Sequence, residues 1–479
     1  MPRLLARSSV PVSAARLFDW HERPGAFTRL SPPWQNVSLE RNDGIRSGDV
    51  AVIRLGVGPG AIRWTAEHRA YTDACRRGDE ACEFRDVQVS GPFAAWSHLH
   101  RALPETDSAS TLEDDVRYEL PLAPFSSAVA GWAARGQIER MFGYRHRVTR
   151  EDLARHAQWD RQPWTIAVTG TSGLIGEALC AFLGGGGHRV VRLVRSREAV
   201  ARWDRNRMER AIYWNVDAGE IDVDGLAEVA PDAVIHLAGE PIFGFPWTNA
   251  KKRAIWESRT RGTQLLANAL VALPTPPKVF LSASASGFYG DTGAEPVTEE
   301  APGGEGFLAS VCGAWEDSTE AAERAGIRTA HLRIGLVLSP AGGMLSTLGP
   351  FGQVGLAGWP GDGSAFWPWI ALDDVLYAIH HLLRSDLSGP VNLSAPSPAT
   401  SRATIKALGR TLGRPAFASL PAPLLKLAGE PARELALKSV RMIPARLRQS
   451  GFEPAYPTLD AALGHLYGKT AEPSISITA

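Results

Sequence analysis

Three glycines at three-residue spacing, Gly170, Gly173 and Gly176, follow a short apolar run from Ile166 to Thr169. They precede a helical stretch, Glu177 to Leu183, which a run of glycines from Gly184 to Gly187 stops. Glycines at such a turn let the backbone bend sharply and bring its N–H groups close to an anion, while the helix start adds partial positive charge. The chemistry expected of Gly170, Thr171, Gly173, Leu174, Ile175 and Gly176 is the cradling of a dinucleotide pyrophosphate. A second apolar run, Val190 to Val194, completes a βαβ unit and is followed by Arg195 and Arg197. A site selecting NAD(H) wants an acidic residue there to accept from the ribose 2′-hydroxyl. A guanidinium suits a 2′-phosphate through forked, charge-assisted hydrogen bonds, so NADP(H) is the preferred cofactor and NAD(H) the other candidate.

Two further stretches bring chemistry to the ends of expected strands. Asp232 to Glu240 reads as a buried strand running into Leu237, Ala238 and Gly239, which should lie over the cofactor. The strand Lys278 to Leu281 runs into Ser282-Ala283-Ser284-Ala285-Ser286-Gly287-Phe288-Tyr289-Gly290. Its hydroxyls sit where the reaction should be, with Ser282 beside the cofactor and Ser284 and Tyr289 at the reacting centre. Trp247, Lys251 and Lys252 are candidates for the crevice rim, and Phe351, Leu356, Trp359, Phe366, Trp367 and Trp369 for either an apolar substrate lobe or core packing. His98 and His100 share a strand face with Trp96 and read as a polar strand face in preference to a cavity-lining or metal-lining pair, so no metal site is expected.

These residues need a scaffold of two or three domains, as 479 residues exceed one ordinary domain. Lys plus Arg equals Asp plus Glu at 51 each, which removes any global electrostatic case for nucleic acid. No apolar run reaches the roughly eighteen residues of a membrane span, and Met1 to Arg16 lacks the apolar core of a signal peptide. The expectation is a soluble, cytoplasmic protein with no integral membrane association, its four cysteines reduced by default although Cys75 and Cys82 could pair.

Residues 1–155 read as an α+β domain. A short helix is expected near Val12 to Phe18, loops from Pro24 to Pro33, and strands over 49–57, 64–71, 82–89, 95–103 and 112–120. Val129, Trp132, Ile138, Met141 and Phe142 then mark one stripe of a long helix ending near Tyr144. The charged stretch Val148 to Pro163 reads as a helix end and interdomain linker. Residues 163–479 read as the α/β Rossmann domain, a doubly wound parallel sheet with a substrate lobe and a C-terminal extension.

The strand order, the final helix and the segment Phe84 to Phe93 leading into Trp96 to His100 make the first domain similar to the START-like, polyketide-cyclase-type (SRPBCC) superfamily. That resemblance implies a helix-grip fold holding an apolar ligand. The second domain resembles the atypical, NAD-dependent-epimerase-like branch of the extended short-chain dehydrogenase/reductase superfamily. The residues that carry the likeness are Thr169 to Gly176, His236 to Glu240, Ser258 to Thr263, Ser284 to Gly290, Leu332 to Gly335, Trp369 to Asp374 and Gly389 to Leu393. It implies an oxidoreductase or epimerase-like activity on a small molecule through a serine and a Tyr-x-x-x-Lys pair. Ser284 supplies the serine, with Ser286 second. Aligning Glu316 with the family's downstream glutamate puts Leu308 at the tyrosine position and Cys312 at the lysine position. Three readings stay open: Tyr289 as acid with Ser284 or Glu240 assisting, Cys312 as an acting thiol, or a non-catalytic NADP(H)-binding sensor or hydrophobic-ligand transfer protein.

Overall fold

The computed structural model describes every residue except 79, 122–127, 160, 205–209, 244–245, 422–426, 428, 471–474 and 479. The chain forms two compact units, Met1–Arg161 with Gly184–Gly187 and Gly464–Ala479, and Gln162–Leu183 with His188–Leu463.

In the first unit, strands β1 (Arg3–Val10), β2 (Val37–Asn42), β3 (Val50–Leu55), β4 (Ile62–Thr72), β5 (Cys82–Ser90), β6 (Ala95–Thr106) and β7 (Ala109–Glu119) build an antiparallel sheet in the order β2-β3-β4-β5-β6-β7-β1. Helices α1 (Ala14–Glu22) and α2 (Ala26–Leu30) lie between β1 and β2 in the chain, and α3 (Ala128–Ala157) follows β7. Leu4, Trp96, Val116 and Tyr118 from the sheet pack with Ile138 and Phe142 of α3, the sheet-on-helix arrangement of a helix-grip fold. A last strand, Ile475–Thr478, pairs antiparallel with β1, so the C-terminus, read from the sequence with the second domain, joins the first sheet.

The five expected strands are present, and β1 and β2 are additions. On β1 the buried positions include Ala6 and Ser8, which blunt the apolar alternation. Strand β2 is almost wholly exposed and shows no buried face at all. The Pro24 to Pro33 segment holds the short helix α2 rather than loop alone. Helix α3 runs on to Ala157, through residues read as linker, because its polar half is buried with partners of its own. Arg29, for example, donates from Nε and Nη2 to the two oxygens of Asp152 on α3, each at 2.8 Å, with both side chains nearly inaccessible. Trp132 falls off the expected stripe and is exposed. Cys75 and Cys82 are joined by a disulfide, a correction to the reduced default: the turn before β5 brings their Cα atoms to 5.0 Å.

In the second unit, β8 (Thr165–Thr169), α4 (Leu174–Gly185), β9 (Arg189–Val194), α5 (Arg197–Asp204), β10 (Arg210–Asn215), β11 (Glu220–Ile221), α6 (Val223–Val229), β12 (Ala233–His236), α7 (Asn249–Val271) and β13 (Val279–Ala285) follow in the chain, and α8 (Phe307–Asp317) comes later. The sheet order is β11-β10-β9-β8-β12-β13, continued by Arg328–Ile334 and Gly389–Leu393, and every pairing except β10 with β11 is parallel. This is a doubly wound Rossmann sheet, whose direction of strand addition reverses between β8 and β12. Ligands bind such sheets at that reversal, outside the C-terminal strand ends. Ala167, Val191, Ile212, Trp214, Val234, Leu266, Leu270 and Phe280 form its core. Strand β13 runs through Ser284, past the expected end at Leu281, so Ser282 and Ser284 lie in the strand itself, while Ser286 and Tyr289 follow in a 3-10 turn. Trp359, Trp367 and Trp369 are buried, the core-packing alternative, while Phe351 and Leu356 are exposed. None of the described helices is long and apolar enough to cross a membrane.

Candidate functional site

The glycine turn lies at the sheet reversal. Gly170 has φ +70°, and a Cβ there would stand 2.8 Å from the carbonyl carbon of Leu237 and 2.9 Å from the nitrogen of Ala238. A Cβ on Gly176 would run into the Gly170 carbonyl. Only glycine therefore lets the β8 turn, the start of α4 and the β12 loop approach so closely. Thr171 is buried, Gly173 is exposed, and Leu174 and Ile175 are half-buried in the first turn of α4. Thr169 Oγ1 accepts from the N–H groups of Leu237 at 3.0 Å and Ala238 at 3.1 Å, tying the two loops together.

The same hydroxyl bonds His236 Nδ1 at 2.7 Å. Having accepted two N–H groups, it donates here, which leaves the imidazole proton on Nε2. Burial, helped by the nearby Arg259 guanidinium, pulls the His236 pKa down to about 3, so the ring is neutral. Its Nε2 and the Oγ of Ser282, paired with it in register across β12 and β13, are both buried and make no hydrogen bond among the described residues. The glycine cradle and these spare polar atoms fit a dinucleotide lying over the strand ends.

Arg195 is exposed immediately after β9, where a 2′-phosphate would be read. Arg197 instead covers the Tyr213 ring at 4.4 Å, and Arg192, missed in the sequence, is buried over Trp203 at 4.3 Å. Beyond β12, Arg259 of α7 donates to the Glu240 carbonyl at 3.0 Å and flanks Gly239, while Lys251 Nζ sits 2.6 Å from Glu240 Oε1. Glu240 is thus engaged by α7.

Ser284 and Tyr289 meet through residues that the sequence did not single out for the reaction. Ser284 Oγ donates to Glu316 Oε1 at 2.7 Å. Arg333 grips the same carboxylate with two 2.8 Å bonds and donates from Nη1 to the Tyr289 hydroxyl at 3.0 Å. Tyr289 donates in turn to Asn392 Oδ1 at 2.7 Å. The phenol is 3 % exposed, and burial raises its pKa against the opposing pull of Arg333. The Arg333 guanidinium lies 3.5 Å from the centroid of Phe288. Arg333 and Asn392 sit in segments already marked by the resemblance, Leu332 to Gly335 and Gly389 to Leu393. Glu316 had served only to align the missing pair.

Leu308 and Cys312 lie on α8 against Gly287, whose Cβ would stand 3.3 Å from Leu308 Cβ and 3.7 Å from Cys312 Sγ. Burial pushes the Cys312 thiol up to about 11 in spite of Arg259, so it stays protonated at neutral pH. It has no lysine's charge to offer a neighbouring acid.

Three family models match the chain. Residues 166–393 match the NAD dependent epimerase/dehydratase family, residues 10–142 match "polyketide cyclase / dehydrase and lipid transport", and residues 420–466 match a domain of unknown function. An epimerase family protein of Mycobacterium bovis is 38% identical over 302 residues, covering 63% of this chain and 96% of that protein. Among solved structures, a nucleoside-diphosphate sugar epimerase from Corynebacterium glutamicum aligns over 97% of this chain and 90% of its own, with TM-score 0.76 and 30% identity. Human epimerase family protein SDR39U1, solved with NADPH, aligns over 64% of this chain and all of its own, with TM-score 0.56 and 28% identity.

Proposed function

Since the chain belongs to the NAD-dependent epimerase/dehydratase family, we propose that its second unit binds NADP(H) at the β8–β12 reversal and acts as an oxidoreductase or epimerase-like enzyme on a small molecule held against Ser284. The observation that carries this reading is the glycine turn, where Gly170 and Gly176 leave no room for a Cβ. Gly170, Thr171, Gly173, Leu174, Ile175 and Gly176 hold the pyrophosphate, Leu237, Ala238, Gly239 and Ser282 flank the nicotinamide half, and Arg195 takes the 2′-phosphate. The NADPH bound to the human relative supports the same preference. The cofactor, when bound, supplies or accepts a hydride. Ser284, its proton directed to Glu316, presents lone pairs that orient a substrate hydroxyl and pass its proton toward the carboxylate. Tyr289 acts through Arg333, fixing the guanidinium that fixes Glu316. The test is titration calorimetry of the full chain with NADP⁺ and NAD⁺, with a substrate screen following NADPH absorbance. Tighter NADP⁺ binding that is lost in Arg195→Ala, and turnover that falls at least about tenfold in Ser284→Ala with cofactor affinity kept, are expected. Equal affinity for both cofactors, unchanged in Arg195→Ala, overturns the 2′-phosphate assignment.

The protonated Cys312 and apolar Leu308 favour a second reading, a non-catalytic NADP(H)-binding sensor or hydrophobic-ligand transfer protein. Tight NADPH binding with no turnover, together with an apolar molecule co-purifying with the full chain in native mass spectrometry, would select it.

A further inference from the structure

On the inner face of the first unit's sheet, three neighbouring strands bring acidic and imidazole side chains together. Asp86 of β5 stands opposite His98 of β6, and His100 of β6 stands opposite Asp114 of β7. His98 is 2 % exposed, so the face expected to be merely polar turns inward. His98 Nδ1 and His100 Nε2 converge on one oxygen, Asp86 Oδ1, at 3.3 and 3.1 Å. One ligand atom from each of Asp86, His98 and His100 lies within 4.8 Å of the others.

The remaining atoms are arranged as support. The far nitrogens, His98 Nε2 and His100 Nδ1, lie 3.1 and 2.9 Å from Asp114 Oδ1. Trp96 Nε1 donates to the other oxygen of Asp86 at 3.1 Å. Asp114 is itself held, its Oδ2 lying 3.0 Å from His146 Nε2, whose Nδ1 bonds Ser8 Oγ at 2.7 Å. Phe84 stacks on His100 at 4.2 Å and Phe142 meets His98 edge-on at 5.0 Å, so the group has apolar walls.

We propose that Asp86, His98 and His100 bind a single divalent transition-metal ion of the zinc or ferrous type, with Asp114 orienting the His98 imidazole from behind. Ligand atoms about 2.1 Å from one ion at tetrahedral angles stand roughly 3.4 Å apart, which the two separations to Asp86 approach. A histidine ligand normally donates its other ring N–H to a carboxylate, as His98 Nε2 does to Asp114, while His100 Nδ1 lies close to the same oxygen without hydrogen-bond geometry. Two imidazoles and one carboxylate suit zinc or iron(II) and leave positions open for a ligand oxygen. Charge gives the second reason. With neutral rings, Asp86 and Asp114 carry two negative charges against the one nearby guanidinium of Arg145, and buried charge of that kind calls for further counter-charge. One divalent ion supplies it, and the competing arrangement is a proton on each ring.

The experiment uses the untagged full chain, stripped with a chelator and titrated with Co²⁺. The expected result is a visible d–d band that saturates at one equivalent and is displaced by Zn²⁺. Elemental analysis of the protein as purified should find zinc or iron. His98→Ala and His100→Ala should lose the band. Asp114→Asn, which keeps the ligands but not their support, should weaken affinity about 10–100-fold. If the alanine variants fail to fold by circular dichroism, the wild-type titration decides alone. Absence of saturable uptake by the wild type means the cluster is balanced by protons and overturns the proposal, as does full binding by folded His98→Ala and His100→Ala.

Discussion

Arg333 holds Glu316 by both carboxylate oxygens, Nε to Oε1 and Nη2 to Oε2 at 2.8 Å each, with side chains only 4 % and 10 % exposed. Ser284, Tyr289 and, through Tyr289, Asn392 are attached to that pair. Breaking a buried ion pair from one side leaves a bare charge and costs about 3–5 kcal/mol. Arg333→Met should destabilise the second unit by that order, measured by urea unfolding. Arg333→Lys should recover only part, because an ammonium cannot fork across a carboxylate. A loss below about 1 kcal/mol for Arg333→Met would show that the pair does not hold this corner together.

The glycine turn makes a graded prediction. A Cβ on Gly176 would meet the Gly170 carbonyl and stand 3.0 Å from Thr171 Cα, whereas on Gly173 its nearest neighbour is the Gly170 oxygen at 3.3 Å. Gly176→Ala should therefore weaken NADPH binding by more than tenfold, about 1.4 kcal/mol, and Gly173→Ala by less. Calorimetric titration of both variants checks the order, and a reversed order refutes the close-approach argument.

His236 gives the second unit an acid-sensitive stability. Its folded pKa of about 3 lies below the ordinary value of 6.5, so between them the unfolded chain binds the extra proton. Stability from this group is complete above the unfolded pKa and declines as pH falls toward the folded one, by up to about 1.4 kcal/mol per pH unit. His236→Asn removes the titration and should flatten the loss between about pH 6 and 4, read as urea midpoints across that range. A variant with an unchanged acid slope would place the sensitivity elsewhere.

Cys312 should be chemically quiet. Its thiol is buried and shifted up to about 11, so iodoacetamide at neutral pH should leave it unmodified in the native protein and alkylate it after unfolding. Cys312→Ala should keep whatever turnover the wild type has. Labelling followed by mass spectrometry, and a loss of turnover in the variant, are the checks that could bring the thiol back into the reaction.

Legibility from the sequence followed the range of the interaction. Strands β3 to β7 could be read as strand-like runs, β7 most clearly because Leu112, Val116, Tyr118 and Leu120 fall on one face. Strand β1 was lost because Ser8, a buried position, is polar, and it is polar because His146 on α3 needs a partner. The second half of α3 was read as linker for the same reason: Asp152 is buried with Arg29 forked across its carboxylate.

By itself the sequence determined the glycine turn after an apolar strand and Arg195 beyond β9, while its resemblances implied the helix-grip fold and the absence of a Tyr-x-x-x-Lys pair at Leu308 and Cys312. The glycine turn and Arg195 depend on backbone sterics and on residues a few positions apart, which a linear chain displays. Only the tertiary structure decided that Ser284 gives its proton to Glu316, that Arg333 joins Glu316 to Tyr289, that Cys75 and Cys82 close a disulfide, and that His98 and His100 face two carboxylates. Hydrogen-bond partners, burial and the resulting pKa shifts belong to groups that meet across strands and helices, and no local pattern in the chain specifies which of them will meet.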